Sequence, residues 1–416
     1  MEPSPLHRNG SGRIRKASRG RRDVAHELAI PFRAHPKGEN AVALHLHARD
    51  ADAPMKRASN ATDAQRARAE ANRKHALEKK RRAQRDALAD LERFLLDRVE
   101  VGLGSLDGEA SGDVQSLRAL ATRMLDDDLR GPHAALLRLA ARIEDDVDDG
   151  HDRRLADGFT SLWVLARRGI KAMEDPSSEV DPTLDTRLGR TWKRAELLDR
   201  GWSLRGASLV ELDDDRGQDE VLAMDVQRGY WLDLASGAIY LEWMGLPFFA
   251  SRAAIPVLRR SRDGVVLVRE AALDPGDAIN RRIRWDAATE PASERPLNAE
   301  DLRAVARHAV TFDVGIARLR GQLSDPGASA DAVFLLDVRA AGTVGESLVI
   351  EDGRGARLVV RDPPGELDAR STVEHGLAAF GPGPLAARLW FDPDADAVFA
   401  QGLSLWTGDQ RVRLRA

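Results

Sequence analysis

The chain has 416 residues, 43% of them hydrophobic and 31% charged, with a formal net charge of −4 and no cysteine. That length exceeds what one core usually supports, so two to four domains are expected, and the near-balanced charge excludes a global field that would draw the protein to nucleic acid or membrane. The absence of cysteine excludes disulfides and thiolate zinc sites.

The first 40 residues are rich in Gly, Arg, Ser and Pro and carry no hydrophobic period, so they read as disordered or poorly packed. The opening MEPSPLHRNGSGRIRKASRGRR lacks the apolar core of a secretory signal, and no run approaches the roughly 18 apolar residues of a membrane span; a cytoplasmic protein is expected. Charge is spread unevenly. Residues 1–86 hold 21 Lys/Arg against 10 Asp/Glu, and the remaining 330 hold 42 against 57, which gives a basic head and an acidic body.

Within that head, AVALHLHARDADAP (Ala41 to Pro54) contains His45 and His47 with aspartates close behind. Residues two apart share a side on a strand but not on a helix, and the composition favours helix, with Ala41, Leu44 and Ala48 on one face. The pair reads as two histidines on a short surface helix rather than as half of a metal site.

From Ala61 to about Gly104 the chain is free of proline and helical in composition. Its first half, DAQRARAEANRKHALEKKRRAQRD, is polar all round. Arg66, Arg68, Arg73, Lys74, Lys79, Lys80, Arg81, Arg82 and Arg85 are the candidate nucleic-acid-binding residues, set against the commoner outcome of a solvated helix face. The second half places Leu88, Leu91, Leu95 and Val99 on one face with Ala87 and Phe94 flanking, an amphipathic stripe. Further helices are predicted at about 113–128, 132–145 and 151–173, completing a helical bundle.

Around Leu204 the pattern changes to short, β-branched or aromatic runs (ASLVELD, DEVLAMDV, GYWLDL, GAIYLEW), with turns predicted at Arg216-Gly217 and Ser236-Gly237. Trp192, Trp202, Tyr230, Trp231, Tyr240 and Trp243 concentrate here. Their acidic neighbours favour a role in a sheet core over stacking of nucleobases. A helix is predicted at about 299–318, opened by Asn298 as N-cap with Asp301 three residues on. AVFLLDV, ESLVIED, ARLVVRD, AARLWFD, DAVFAQ and RVRLRA then predict six strands of a small barrel or sandwich, with a hairpin at Asp352-Gly353.

Motifs for chemistry are sparse. There is no Walker-type loop, G-x-S-x-G elbow or H-E-x-x-H. Asp126 to Asp128, and Asp145, Asp146, Asp148 and Asp149, read as caps or turns. Asp392, Asp394 and Asp396 start like a calcium loop but meet Ala397 where Gly is required and Leu403 where Glu is required. His133, His308 and His375 stand alone in sequence.

Three stretches carry a resemblance. ALADLERFLLDRVEVGLG followed by TRMLDDDLRGP resembles the helical region after the zinc finger in bacterial SWIM zinc finger proteins, where L-x-x-[WF]-L-x-D-x-[VL]-x-x-G-L precedes R-M-[VL]-D. AVALHLHARDADAP is similar to the helix that follows the finger's last ligand. The resemblance implies a finger with C-x-C and C-x-H ligands, and counting back from Ala41 places those four positions on Ala29, Pro31, Gly38 and Asn40, none a usual zinc ligand. Gly10-Ser11-Gly12 resembles the lead-in to the finger. Drift of the finger and a locally shifted reading frame both account for residues 13–40.

The expectation is therefore an α+β protein: a degenerate SWIM-like segment (1–55), a helical bundle domain with a long helix (56–200), a β-rich domain with one helix (201–328) and a small C-terminal β domain (329–416), the β modules mainly antiparallel. The expected role is a non-enzymatic accessory protein that binds a protein partner, without cofactor, metal, small-molecule substrate or membrane. The alternative is nucleic-acid binding through the basic N-terminal region.

Overall fold

The computed structural model describes residues 63–103, 112–145, 152–174, 179–248, 261–276, 278–285, 293–363, 370–408 and 410–414. The fold is α+β, with a helical region followed by two antiparallel six-stranded sheets.

Helices α1 (Asp63–Val101), α2 (Gly112–Asp126), α3 (Arg130–Asp145) and α4 (Asp152–Glu174) form the bundle. Leucines at i, i+3 and i+7 line one side of a helix, and Leu88, Leu91 and Leu95 bury that side against Leu117, Met124, Leu136, Ile143, Phe159 and Leu162. Val99, assigned to the same stripe from its spacing, is instead 55% exposed. One turn beyond Leu95 the helix is leaving the bundle: it ends at Val101, and Gly102 takes φ 98° while its N–H bonds the Arg98 carbonyl at 3.0 Å. A positive φ at a helix C-terminus favours glycine, because a Cβ is strained there.

Two short helices that periodicity did not show, α5 (Pro182–Arg187) and α6 (Arg194–Asp199), lead from the bundle to the sheets. Asp181 caps α5 by accepting the N–H groups of Thr183 and Leu184, and Pro182 occupies the first turn. Trp192 packs edge-on to Trp202 at 5.5 Å and, with Leu197, closes over Ala272 of the first sheet.

The first sheet comprises β1 (Ser203–Asp219), β2 (Met224–Asp233), β3 (Ile239–Pro247), β4 (Val265–Leu273), β5 (Ile283–Arg284) and β6 (Ser293–Arg295), in the order β3-β2-β1-β4-β5 with β6 also on β4. A parallel bridge between Leu241 and Arg282 draws β5 back towards β3. The turn predicted at Arg216-Gly217 lies instead inside β1. Asp213 to Asp219 pair with β2, and the chain reverses beyond them, with Ala223 at φ 51°. Cross-strand pairing overrides the polar composition there. The Ser236-Gly237 turn is present, with Gly237 at φ 73°.

The single helix predicted at 299–318 is two, α7 (Ala299–Arg307) and α8 (Phe312–Leu323). Between them Val310 donates its N–H to Leu335 and accepts from Asp337, so the backbone joins the second sheet instead of continuing the helix. Asp352, from the far hairpin, then accepts the Phe312 N–H at 2.9 Å and serves as a remote cap for α8.

The second sheet comprises β7 (Asp331–Val344), β8 (Ser347–Asp352), β9 (Arg357–Val359), β10 (Pro384–Asp392), β11 (Ala397–Trp406) and β12 (Arg411–Arg413), in the order β12-β11-β10-β7-β8-β9. Helix α9 (Arg370–Phe380) comes between β9 and β10 and buries Val373 and Leu377 in the core beneath that sheet.

Alternate residues of the central strands serve different cores. Val333 and Leu335 of β7 join Val210, Leu212 and Leu232 of the first sheet in a core shared by both sheets, while Phe334 and Leu336 face the core of α8 and α9. Leu209 and Trp231 point the other way from the shared core, into a third cluster. Ion pairs join the bundle to this layered body: Arg138 to Asp219 (3.0 Å), Arg154 to Asp392 and Asp394 (both 2.9 Å) and Arg168 to Asp325 (3.0 Å), with Arg187 of α5 also on Asp325 (2.7 Å).

Candidate nucleic-acid interface

Helix α1 has 39 residues, and at about 1.5 Å per residue it is roughly 58 Å long. Its bundle contacts begin in earnest at Ala87 and Leu88, both fully buried, whereas every described side chain from Gln65 to Lys80 is exposed. Among the described residues none of its side chains enters the bundle core, so its helicity rests on composition. Four alanines and the i,i+4 pairs Glu70/Lys74 and Glu78/Arg82, each acid N-terminal to its base, favour the helix in water.

Between Gln65 and Arg82 eight Lys/Arg face two Glu. Four of the nine cations singled out from sequence, Arg66, Lys80, Arg81 and Arg85, have interaction partners. Lys80 pairs with Asp128 at 2.6 Å, Arg85 with Asp86 at 3.1 Å, and Arg81 is half-buried beside Glu179. Burial tends to raise the Asp128 carboxyl, but Lys80 and Arg130 outweigh it and hold the group below the usual carboxylate range. Arg68, Arg73, Lys74, Lys79 and Arg82 make no ion pair among the described residues. On successive turns of an exposed helix they form a dense array of hydrated charges all round the rod. Such an array can neutralise phosphates, and a helix about 10–12 Å across matches the major groove of duplex DNA in width.

The other residues singled out from sequence have structural partners or lie elsewhere. Asp392 accepts the Asp394 N–H and the Arg154 guanidinium in a turn between β10 and β11, so its carboxylate is already committed. His133 bonds the Ala121 carbonyl, His308 that of Leu234 and His375 that of Ser371. Trp192, Tyr230, Trp231 and Tyr240 are buried, with Trp202 and Trp243 half-buried. The indoles of Trp231 and Trp285 both donate to Glu242, at 3.0 and 2.6 Å. Among the described residues no group of three or more His, Asp or Glu side chains is placed to hold a metal ion. His45, His47, Ala29, Pro31, Gly38 and Asn40 lie outside the described residues.

Sequence reasoning passed over the cations at the end of α4, Arg168 and Lys171. They stand one turn apart in RRGIKAMED, and that spacing was the available signal.

No family model matches the chain, and neither a curated protein nor a solved structure matches it. Among the described residues no helix is long and apolar enough to cross a membrane.

Proposed function

We propose that the protein is a non-enzymatic, cytoplasmic accessory protein that binds nucleic acid through the projecting half of α1. The observation that carries this reading is the set of five cations, Arg68, Arg73, Lys74, Lys79 and Arg82, that make no ion pair among the described residues, on a helix segment outside the bundle core. The contacts are to phosphate rather than to bases, so binding is weakly selective for sequence. The proposal includes a relationship to bacterial SWIM zinc finger proteins, supported by ALADLERFLLDRVEVGLG, whose Leu88, Leu91 and Leu95 form the packed end of the same helix.

A titration of full-length protein into labelled duplex DNA at several salt concentrations tests the reading. With four to six phosphates neutralised, the log-log slope against salt is about −4 to −5, and micromolar binding at about 50 mM salt fades near physiological salt. A slope near zero, or no binding at about 50 mM salt, contradicts it.

A second reading, a protein partner, is favoured by Leu77. It stands eleven residues before Leu88 on the continuation of the buried stripe, yet it is 52% exposed. Leu77→Ala lowering affinity for a captured protein while leaving DNA binding unchanged supports that reading.

A further inference from the structure

A cleft of about 550 Å³ lies where the end of α4 and the short α5 meet the connection after α8; its lining includes Arg168, Lys171, Leu184, Arg187 and Asp325. That volume is within the ordinary range for a small-molecule site. Its charges are unevenly matched. Asp181, also at the cleft, accepts the N–H groups of Thr183 and Leu184 through Oδ1. Asp325 receives Arg187 at 2.7 Å, Arg168 at 3.0 Å and the Gly327 N–H at 3.2 Å, so one carboxylate serves two guanidinium groups. Lys171 is exposed and has no partner among the described residues. Three cations thus share a cleft with two carboxylates that are both already engaged, and Ala172 and Leu184 give it an apolar wall.

We propose that this cleft binds a small organic phosphate, the phosphate seated against Lys171 and the free edges of the Arg168 and Arg187 guanidinium groups and the organic part against Leu184 and Ala172. Guanidinium edges and an ammonium suit the tetrahedral dianion, since planar forks donate in pairs and the ammonium acts as a point charge. A bare phosphate leaves most of the volume unfilled, which is why an ester is preferred over the inorganic ion. The inference does not rest on the nucleic-acid reading: the cleft is built from α4, α5 and the segment after α8, and contains no residue of α1.

Calorimetric titration of the full chain with adenosine 5′-monophosphate, inorganic phosphate and adenosine tests it. Saturable binding of the nucleotide at millimolar or lower concentration, weaker binding of inorganic phosphate and none of adenosine is the expected result. Lys171→Ala weakens the nucleotide by about tenfold and Lys171→Glu abolishes binding, both with a melting temperature within a few degrees of the parent, because Lys171 has no partner among the described residues. Arg205→Ala on β1, an exposed arginine that does not line the cleft, leaves nucleotide binding unchanged. Absence of saturable binding at about 10 mM nucleotide, equal affinity for inorganic phosphate, or indifference to Lys171→Glu overturns the proposal.

Discussion

The carboxylate of Asp301 is buried and held by specific donors, with a consequence for stability. It is buried at the start of α7, where Asn298 accepts the Asp301 N–H and Asp301 accepts the Asn298 N–H, a reciprocal capping box that the sequence made legible. Arg295, which the sequence did not point to, adds a two-pronged contact, with Nη2 donating at 2.8 Å. The hydrogen bond from Arg295 is the largest influence on the carboxyl; burial opposes it, and the Asn298 N–H and the Arg295 charge add to it, so the group titrates below the usual carboxylate range. A depressed folded-state value means that the unfolded chain binds the proton more readily. The contribution is therefore complete above the ordinary aspartate range and is lost as pH falls through the folded value. Asp301→Asn is expected to cost about 1–2 kcal/mol at neutral pH in urea unfolding. The gap from the parent should close in strong acid; a gap independent of pH contradicts the assignment.

Among the elements, α1 divides most sharply between what packs and what projects. Leu91 is fully buried, and truncating it to Ala is expected to cost about 2–5 kcal/mol, whereas exposed Arg82→Ala should change stability by no more than about 0.5 kcal/mol. Denaturation midpoints that fall equally for both variants refute the division. The stripe Leu88, Leu91, Leu95 was legible because one face of one helix carries it. The run AVFLLDV was legible as a strand but not in its role, since side chains on both faces of β7 are buried in different cores and a continuous apolar run does not say which residue meets which. The break between α7 and α8 was hidden for a related reason. Its cause is a pairing of Val310 with β7 and a cap from Asp352, both distant in sequence. The cations of α1 were visible as a charge run, but which of them remain unpaired depends on where Asp128 and Glu179 fall in the folded chain.

Across the whole molecule, Arg138, Arg154 and Arg168 of the bundle meet aspartates of the sheet body, so the acidic charge of the body is partly engaged by the bundle. Among the described residues, five cations without an ion pair stand on the part of α1 that the bundle does not use. A packed, acidic body thus carries an exposed cationic rod, and DNA binding is expected to depend on the charge of that rod. The measurement is duplex DNA affinity at about 50 mM salt for the parent and for the combined variant Arg73→Glu, Lys74→Glu, Lys79→Glu and Arg82→Glu, with thermal unfolding followed in parallel. The expected result is a loss of affinity of about a hundredfold or more with a melting temperature that stays within a few degrees of the parent. DNA affinity equal to that of the parent in a folded variant contradicts it.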